Sequence, residues 1–233
     1  METMKQIMYG VTDFARIRAE NGYFVDRTAL IRELEKTSYA MFLRPRRFGK
    51  SLLCSILQCY YDIDYAGRFE EFFGGLDIGR EPTAERGKYL FIDFNFTGVE
   101  KRIDRVQDSF NEYCSERLDV FVERQAGRLP EGTTAAVLAK RTCHEKFNTL
   151  TMRLKGSGLA LYITIDEYDN FTNTILAESR ESYEALCHGD GFFKQFFNEL
   201  KLATTGTDAP VTRLFVTGVT PVTMDDVTSG FNI

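Results

Sequence analysis

The sequence predicts an α/β fold in which a mainly parallel sheet is covered by helices on both faces. Short apolar, β-rich runs alternate along the 233-residue chain with segments of helical periodicity, and strands separated by helices are typical of a parallel sheet. The hydrophobic share of 43% is sufficient for a large core, and the length suits one domain with insertions. The predicted strands are Tyr39–Leu43, Tyr89–Phe96, Leu159–Ile165 and Val211–Val216.

The first part of the chain predicts a turn, a short extended piece at Tyr23–Val25 and a helix from Asp26 or Thr28. The compact apolar run 39–43 gives the first strand, and a polar, arginine-rich loop (residues 44–49) follows it. A helix begins at Lys50, because the apolar residues after it fall on one helical face. Those residues are Leu52, Leu53, Ile56, Leu57 and Tyr60.

The middle of the chain predicts mostly helix. Residues 65–88 have glycines and charges without a clear period, which indicates loops and a short helix. A long amphipathic helix is indicated by apolar residues at helical intervals. Those residues are Ile103, Val106, Phe110, Tyr113, Leu118 and Phe121. A break at 127–132 precedes a helix over 134–155, and helical stretches over 170–202 precede the last strand.

Charge and cysteine content exclude several classes of protein. With 29 basic and 34 acidic residues the net charge is −5, which disfavours general binding to nucleic acid or anionic membranes. The longest apolar run, at 159–165, is far shorter than the roughly 18 residues of a membrane span, and residues 1–10 do not resemble a signal peptide. Five cysteines without a C-x-x-C pair, and two histidines, argue against disulfides or a transition-metal site. We therefore expect a soluble, cytoplasmic protein with reduced cysteines, in which a Mg²⁺ site remains compatible with the composition.

The tripeptide Gly49-Lys50-Ser51 lies between the first strand and the helix that follows it. A phosphate-binding loop needs backbone N–H groups around the oxyanion, the positive end of a helix dipole, and a lysine for the β- and γ-phosphates. Lys50 stands at the lysine position, and Ser51 stands where such loops bind Mg²⁺. The residues expected to contact the nucleotide are Arg46, Arg47, Phe48, Gly49, Lys50, Ser51 and Leu52. The alternative is a chance tripeptide at a helix start, beside a solvated arginine patch.

The loop departs from the pattern G-x-x-x-x-G-K-[ST] at its first position, where Arg44 replaces glycine. Glycine allows a tight backbone turn that arginine restricts, and Pro45 removes one amide donor. Three arginines and Lys50 nevertheless bring four positive charges into seven residues, and guanidinium groups bind phosphate oxygens. Either the arginines substitute for lost backbone contacts, or the affinity for nucleotide is reduced.

A second motif is the apolar strand that ends in Asp166-Glu167. In a phosphate-loop ATPase Asp166 would hold Mg²⁺, usually through water, and Glu167 would polarise the water that attacks the γ-phosphate. The alternative is a buried strand that simply ends in acids, but the two motifs together favour a nucleotide site. Asp169 is expected either to assist or to cap the next helix.

A third element is the strand that ends at Thr217. In sheets of this type the strand lies between the two motif strands, and a polar residue at its end senses the γ-phosphate. Thr217 is the candidate for that role. The alternative is a threonine at an ordinary strand-to-turn boundary.

Four segments resemble the AAA-ATPase-like family of bacterial proteins, and the resemblance spans Gly10 to Ile233. The loop is similar to the G-P-R-R-x-G-K-T-S-L-L loop of archaeal-type and signal-transduction ATPases, with Arg44 in place of glycine, so that the arginine belongs to the resembled family. The segments are Tyr23–Thr28, Phe42–Leu53, Ile165–Asp169 and Val216–Thr223.

The resemblance implies a P-loop NTPase fold, a three-layer α/β/α arrangement with helical insertions, formed by residues 1–233. In the family this domain is often followed by a nuclease domain of the restriction-endonuclease-like PD-(D/E)XK kind; we expect that domain and a C-terminal lid to lie outside this sequence. Related ATPases pack the segment before the first strand against adenine, which makes Tyr23, Phe24 and Asp26 candidates for base contacts. The alternative is that the two aromatic residues belong to the core.

Three functions remain open from the sequence. The first is an ATPase with a degenerate Walker A motif, in which Lys50, Glu167 and Thr217 are catalytic, Ser51 and Asp166 hold Mg²⁺, and hydrolysis of ATP drives a conformational switch. An arginine finger would come from the loop or from another subunit of an oligomer. The second function is a nucleotide-binding regulatory module without turnover, because Arg44 alters the loop. The third and weakest is nucleic-acid binding through the arginines, which the acidic net charge disfavours.

Overall fold

A computed structural model describes residues 4–221, in which four strands and eleven α-helices follow one another along the chain. The first half contains α1 (Phe14–Ala19), α2 (Leu30–Leu34), β1 (Tyr39–Leu43), α3 (Lys50–Tyr61), α4 (Phe69–Phe73), α5 (Asp77–Arg80) and β2 (Leu90–Asn95). The second half contains α6 (Val106–Arg124), α7 (Thr133–Leu138), α8 (Cys143–Leu154), β3 (Leu161–Asp166), α9 (Asn170–Glu178), α10 (Arg180–Cys187), α11 (Phe192–Ala203) and β4 (Val211–Gly218). Short 3₁₀ helices lie at Ile63–Arg68 and Phe96–Gly98.

The four strands form one sheet in the order β1-β4-β3-β2, and each neighbouring pair in the described residues is parallel. The last strand therefore lies between the strands that carry the two motifs, as the sequence predicts. At the carboxyl end of the sheet Leu43 pairs with Gly218, and Asn95 pairs with Asp166. The ends of all four strands thus meet at one edge.

Each face of the sheet carries its own core. Alternate residues of a strand point to opposite faces, so that Tyr162 of β3 packs on the side of α3 while Ile163 packs on the side of α6. The side of α3 is rich in tyrosine, with Tyr61 stacked on Tyr162 at a ring-centroid distance of 4.8 Å. Helices therefore cover both faces, and the three-layer α/β/α fold is confirmed.

A cluster of phenylalanines holds the second half of the chain on the sheet. Phe171 and Phe193 make an edge-to-face contact with ring centroids 4.8 Å apart, and Phe96 and Phe110 join them from the other side. All four side chains are buried. Burial of one such side chain contributes about 1.5–3 kcal/mol, so this cluster is a main source of stability for the helices from α6 to α11.

The four predicted strands are confirmed to within two residues at each end, whereas several predicted helices divide or shift. The predicted helix over 134–155 is two helices, because Thr142 is extended and caps α8 through a capping box with Glu145. The stretch 170–202 is three helices, with breaks at Ser179 and near Gly191. The long helix begins at Val106, and the exposed Ile103 lies outside it.

Two predictions near the N-terminus were incomplete. The structure has a helix, α1, where the sequence predicts only a turn, and the predicted helix from Asp26 or Thr28 begins at Leu30. The extended piece at 23–25 makes no strand. Among residues 4–221, no helix combines the length and the apolar character that crossing a bilayer requires.

Asp62 is a buried acid on the side of the sheet that α3 covers. Its Oδ1 accepts a hydrogen bond of 3.1 Å from the backbone N–H of Asp64 and caps the first 3₁₀ helix. Its Oδ2 is buried without a hydrogen-bond partner among the described residues, and the guanidinium of Arg124 lies 3.7 Å away. Burial raises the pKa of the Asp62 carboxyl to about 6, although the Asp64 amide and the Arg124 charge oppose that shift.

Asp62→Asn tests this account through the pH dependence of stability. The folded-state pKa lies above the unfolded value, so the folded protein binds the proton more tightly and loses stability as the pH rises from about 4 to about 6. The amide keeps the cap but carries no charge. We expect the variant to gain about 1–3 kcal/mol of unfolding free energy at pH 7.5 and almost nothing at pH 4, in urea titrations. Asp208→Asn, in an exposed loop, is the control, and an equal gain at both pH values would contradict the account.

Candidate functional site

The two motifs of the sequence meet at the carboxyl edge of the sheet. The arginine-rich loop leaves β1, Asp166 ends β3, and Thr217 stands near the end of β4. Asn95 ends β2 at the same edge and pairs with Asp166 in register. In open parallel sheets this edge is where ligands bind, because loops from several strands converge there.

The arginine-rich loop turns sharply into the N-terminus of α3. Gly49 has a φ of 76°, in the left-handed region, and Arg47 has a φ of 68°. The first backbone N–H groups of any helix lack partners within the helix, and they lie at the positive end of its dipole. Within residues 4–221 no protein acceptor takes the N–H groups of Arg46, Arg47, Gly49, Lys50, Ser51 and Leu52. Such a run of free donors is suited to a phosphate.

Arg44 does not strain the loop at the position where the usual pattern has glycine. The non-glycine residues of positive φ in the described part of the chain are Asn21, Arg47 and Glu167. The Arg44 N–H donates to Gly218 O at 3.1 Å, which extends the pairing of β1 with β4. Its guanidinium turns back onto β1, 5.0 Å from the centre of the Phe42 ring. The backbone freedom that glycine offers is needed at Arg47 rather than at Arg44, which corrects the expectation from the sequence.

Lys50 lies beneath the loop and is only 4% exposed. Its ammonium donates to the carbonyl oxygens of Arg44 and Pro45, at 3.2 and 3.4 Å. The same nitrogen lies 3.2 Å from Glu167 Oε1. The buried lysine of the first motif and the partly buried second acid of the other motif therefore form an ion pair across the edge of the sheet.

The carboxylate of Asp166, at the end of β3, is fully buried and is contacted by side chains from β2, β4 and α3. Ser51 Oγ donates to Oδ2 at 2.6 Å, and Asn95 Nδ2 donates to the same oxygen at 3.2 Å. The hydroxyl of Thr217 donates to Oδ1. A carboxylate can stay buried only when donors surround it, so these three side chains hold Asp166 in one orientation.

Ser51 Oγ and Asp166 Oδ2 together offer two oxygen ligands for a metal ion. Both are hard oxygen donors, and Mg²⁺ is commonly held by one or two protein oxygens while phosphates and water complete its octahedron. Within residues 4–221 no cluster of three or more histidine, cysteine or acidic side chains is arranged to hold a metal ion on its own. The donor set therefore suits a metal that arrives with a phosphate ligand.

Glu167 stands at a strained turn after β3. Its φ is 53°, which a non-glycine residue adopts at a cost of about 1–2 kcal/mol. Two contacts with β4 hold that conformation: the Glu167 N–H donates to Thr217 Oγ1 at 3.3 Å, and the Tyr168 N–H donates to Thr217 O at 3.0 Å. Strain of this kind concentrates at functional sites, because it aims a side chain that relaxed backbone would point elsewhere.

Thr217 contacts both acids through one hydroxyl. That hydroxyl donates to Asp166 and accepts from the N–H of Glu167, and the side chain is fully buried. The structure therefore gives Thr217 a positioning contact with both acids, while its contact with a phosphate remains a prediction.

Asp169 joins the end of β4 to α9. Its Oδ2 accepts from the backbone N–H groups of Val219 and Thr220, at 3.0 and 2.7 Å, and from Asn173 Nδ2 at 2.8 Å. It occupies the N-cap position of α9 without making a side-chain cap hydrogen bond. Gly218 lies against the same group, and a Cβ there would collide with the ring of Tyr168. Asp169 thus fixes the turn after β4.

An apolar pocket of about 440 Å³ adjoins the loop at Gly49. Aromatic walls come from Phe24, Phe42, Phe48 and Phe215, and aliphatic walls come from α2 and α3. Phe48 is 64% exposed at its mouth. Of the residues predicted to contact a base, Phe24 lines the pocket and is half-buried.

The other two base candidates lie elsewhere. Tyr23 is 63% exposed and does not line the pocket, so its alternative placement in the core is wrong. Asp26 accepts hydrogen bonds from the Thr28 hydroxyl and from the Asp77 N–H, at 2.7 and 2.8 Å. Burial opposes the shift, but the hydrogen bonds from Thr28 and Asp77 lower the pKa of the Asp26 carboxyl. The contact with Asp77 also ties α5 to the segment before α2.

A comparison with protein families matches almost the whole chain. The sequence profile of a family described as predicted AAA-ATPase matches residues 8–228. The chain belongs to the AAA-ATPase-like family. No curated protein and no solved structure matches the chain. Membership in this AAA-ATPase-like family supports nucleotide binding and agrees with the geometry at the carboxyl edge. Val222 and Thr223, the end of the fourth resembling segment, lie outside the described residues.

Sequence reasoning missed two features of the candidate site. Asn95 donates to Asp166, and its own N–H donates to the hydroxyl of Tyr113 in α6 at 2.7 Å. No motif marks Asn95; only its position at the end of the second predicted strand could have drawn attention to it. The pocket was also missed, because its walls come from segments as distant as Phe24 and Phe215.

Asp169→Ala tests whether Asp169 is structural or catalytic. The change leaves the backbone donors after β4 without an acceptor, and we expect it to lower the unfolding free energy by about 2–4 kcal/mol in urea titrations. Asn170→Ala is the neighbouring control and should stay within about 0.5 kcal/mol of the parent protein. Unchanged stability of Asp169→Ala would contradict the structural role.

Proposed function

We propose that this domain binds ATP with Mg²⁺ and hydrolyses it, and that the cycle drives a conformational switch. The proposal rests on one observation: the free N–H groups of the loop, the Lys50 ammonium, and the Ser51–Asp166 oxygen pair converge at one edge of the sheet. These are the groups that a nucleotide triphosphate and its metal require. Family membership supports the same class of ligand.

The phosphate tail would lie across the N-terminus of α3. The N–H groups of the loop would bind its oxygens, and Lys50 would exchange its two carbonyl acceptors for the β- and γ-phosphates. Ser51 and Asp166 would hold Mg²⁺, in part through water. Mg²⁺ bound there would neutralise negative charge on the β- and γ-oxygens.

Glu167 would act as the general base. In the structure its carboxylate is paired with the Lys50 ammonium at 3.2 Å. Once a phosphate takes over Lys50, the Glu167 carboxylate is released to accept a proton from the attacking water. Thr217 would hold Asp166 and Glu167 in position, in addition to its predicted contact with the γ-phosphate.

The base of the nucleotide would occupy the apolar pocket beside Gly49. The pocket is lined by aromatic and aliphatic side chains, and Phe48 at its mouth offers a ring on which a purine can stack. Leu52 lies on the wall between the pocket and the loop. The pocket therefore suits a flat aromatic base, which the proposal takes to be adenine.

The exposed Arg46 and Arg47 complete the proposal. They would contact the phosphates or act as an arginine finger, and a second subunit is the other source of such a finger. We assign residues 1–233 to one P-loop domain, which in a longer protein would transmit its switch to a nuclease domain.

A second candidate is a regulatory module that binds nucleotide without turnover. The Lys50–Glu167 ion pair favours it, because the two groups that act on the γ-phosphate neutralise each other until a ligand separates them. If binding does not separate them, no base is available.

Variants of Lys50 and Glu167 distinguish the two candidates. Lys50→Ala removes a charged phosphate contact, and we expect ATP affinity to fall about 10- to 100-fold in calorimetry. Glu167→Gln should bind ATP as tightly as the parent protein does, while its release of phosphate from ATP slows by about 10²–10⁴-fold. Lys36→Ala and Glu178→Gln, both at exposed positions, are matched controls. If the parent protein binds ATP, but neither the parent nor any variant hydrolyses it at a measurable rate, the regulatory module is the function that remains.

Phe48→Ala tests the site of the base. Loss of one stacking partner should weaken ATP binding by about tenfold, because base stacking contributes about 1–3 kcal/mol. Binding of inorganic triphosphate, which has no base, should not change. Tyr9→Ala, an exposed aromatic residue outside the pocket, is the control. An equal loss for both ligands would contradict the assignment of the pocket.

A further inference from the structure

A second cavity, of about 360 Å³, lies between α6, α8 and α11. Its volume is at the small end of the range for ligand sites in proteins, about 300–1,000 Å³. The phenylalanines of its wall pack with the core on the face of the sheet opposite α3, whereas the pocket beside Gly49 is formed largely by residues of the other core. The two cavities are therefore separate sites. The phenylalanines are Phe110, Phe147, Phe192 and Phe196.

The aromatic wall of this cavity is held in place by contacts between its own rings. The centre of the Phe110 ring lies 5.2 Å from those of Phe192 and Phe196, and Phe147 lies 6.4 Å from Phe196. Three of the four side chains are buried, and Phe192 is half-buried. A wall packed in this way is largely preformed, so that little ordering opposes the binding of a ligand. Aromatic rings attract cations as well as apolar groups.

The charged side chains of the cavity are mostly acidic. The carboxylates of Asp108 and Glu199 line it, and among the described lining residues only His144 is able to carry a positive charge. Asp108 is exposed, and the guanidinium of Arg105 lies 3.9 Å from its carboxylate. A cavity with this charge distribution favours cations over anions.

Glu199 is the acid best placed to bind a cation. Its side chain is 15% exposed, and its Oε2 accepts a hydrogen bond of 3.2 Å from Asn148 Nδ2. Its Oε1 accepts no hydrogen bond within residues 4–221, and His144 Nε2 lies 3.8 Å away. A largely buried carboxylate oxygen without a donor gains free energy from a charged donor. Gln195 offers a second acceptor, because its Nε2 donates to Asp190 O at 2.8 Å while its Oε1 has no partner in the same residues.

We propose that this cavity binds a small organic cation, with an ammonium group beside Glu199 Oε1 and an aromatic or alkyl body among the phenylalanines. The ammonium would donate to Glu199 and to Gln195 Oε1, and the body would pack against Phe192. A ligand can enter from solvent, since Gln107, Asp108 and Gln195 are exposed. A neutral molecule of the same shape would gain only the apolar contacts, and both carboxylates would repel an anion.

Calorimetry on the full chain with three ligands of similar shape tests the proposal. The probe is phenethylammonium, phenethyl alcohol is its neutral counterpart, and phenylpropanoate is its anionic counterpart. We expect the ammonium to bind about tenfold more tightly than the alcohol, and the anion to bind more weakly than either. Equal affinity for the ammonium and the alcohol, or no measurable binding of the ammonium at millimolar concentration, would overturn the proposal.

Two variants test the position of the bound ammonium. Glu199→Gln preserves the shape of the side chain but removes its charge, so the ammonium should bind about tenfold more weakly while the alcohol binds as before. Phe192→Ala should weaken the binding of both ligands. Glu178→Gln, an exposed acid outside the cavity, is the matched control and should bind all three ligands as the parent does.

Two further measurements accompany the variants. Circular dichroism verifies that each variant is folded, and a folded Glu199→Gln that binds the ammonium as tightly as the parent would contradict the site. The affinity for ATP should be the same in Glu199→Gln as in the parent, because the cavity and the proposed nucleotide site lie in different cores. Loss of ATP binding in that variant would contradict the separation of the two sites.

Discussion

The buried carboxylate of Asp166 is the interaction on which the geometry of the site depends. It stands at the end of a central strand, where burial would be strongly unfavourable without donors on every side. Each donor comes from a different element: α3 supplies Ser51, β2 supplies Asn95, and β4 supplies Thr217. The requirement to satisfy one acid therefore aligns the ends of three strands and the start of the helix that follows the loop.

A second constraint is the link between Lys50 and Glu167. The ammonium lies under the loop and the acid sits in a strained turn, so the pair joins the two motifs across the sheet edge. An anionic ligand that approaches Lys50 would compete with Glu167 for its ammonium. The ion pair would therefore respond to the charge of a ligand as well as to its shape.

The sequence was sufficient for the sheet and for the motif residues, because both follow from local patterns. Apolar runs located the strands, and the strand–loop–helix order around Lys50 located the loop. Asn95 and the aromatic pocket depend on strand register and on contacts between distant segments, neither of which a local pattern contains. The backbone at Arg44 could not be judged from the residue type, since the left-handed conformations fall at Arg47 and Gly49 instead. The division between α7 and α8 was missed because the capping box at Thr142 lies within a continuous helical period.

Helix α6 contacts both the carboxyl edge of the sheet and the core on the face opposite α3. Through the Tyr113 hydroxyl it holds the backbone of Asn95, and the very next residue, Cys114, is fully buried in the core on the face of the sheet opposite α3. A rigid helix cannot move at one of these residues without moving at the other. Thermodynamic reciprocity then requires that any ligand which shifts α6 from the sheet edge changes the packing free energy of that core by the same amount by which a change in the core alters the affinity for the ligand.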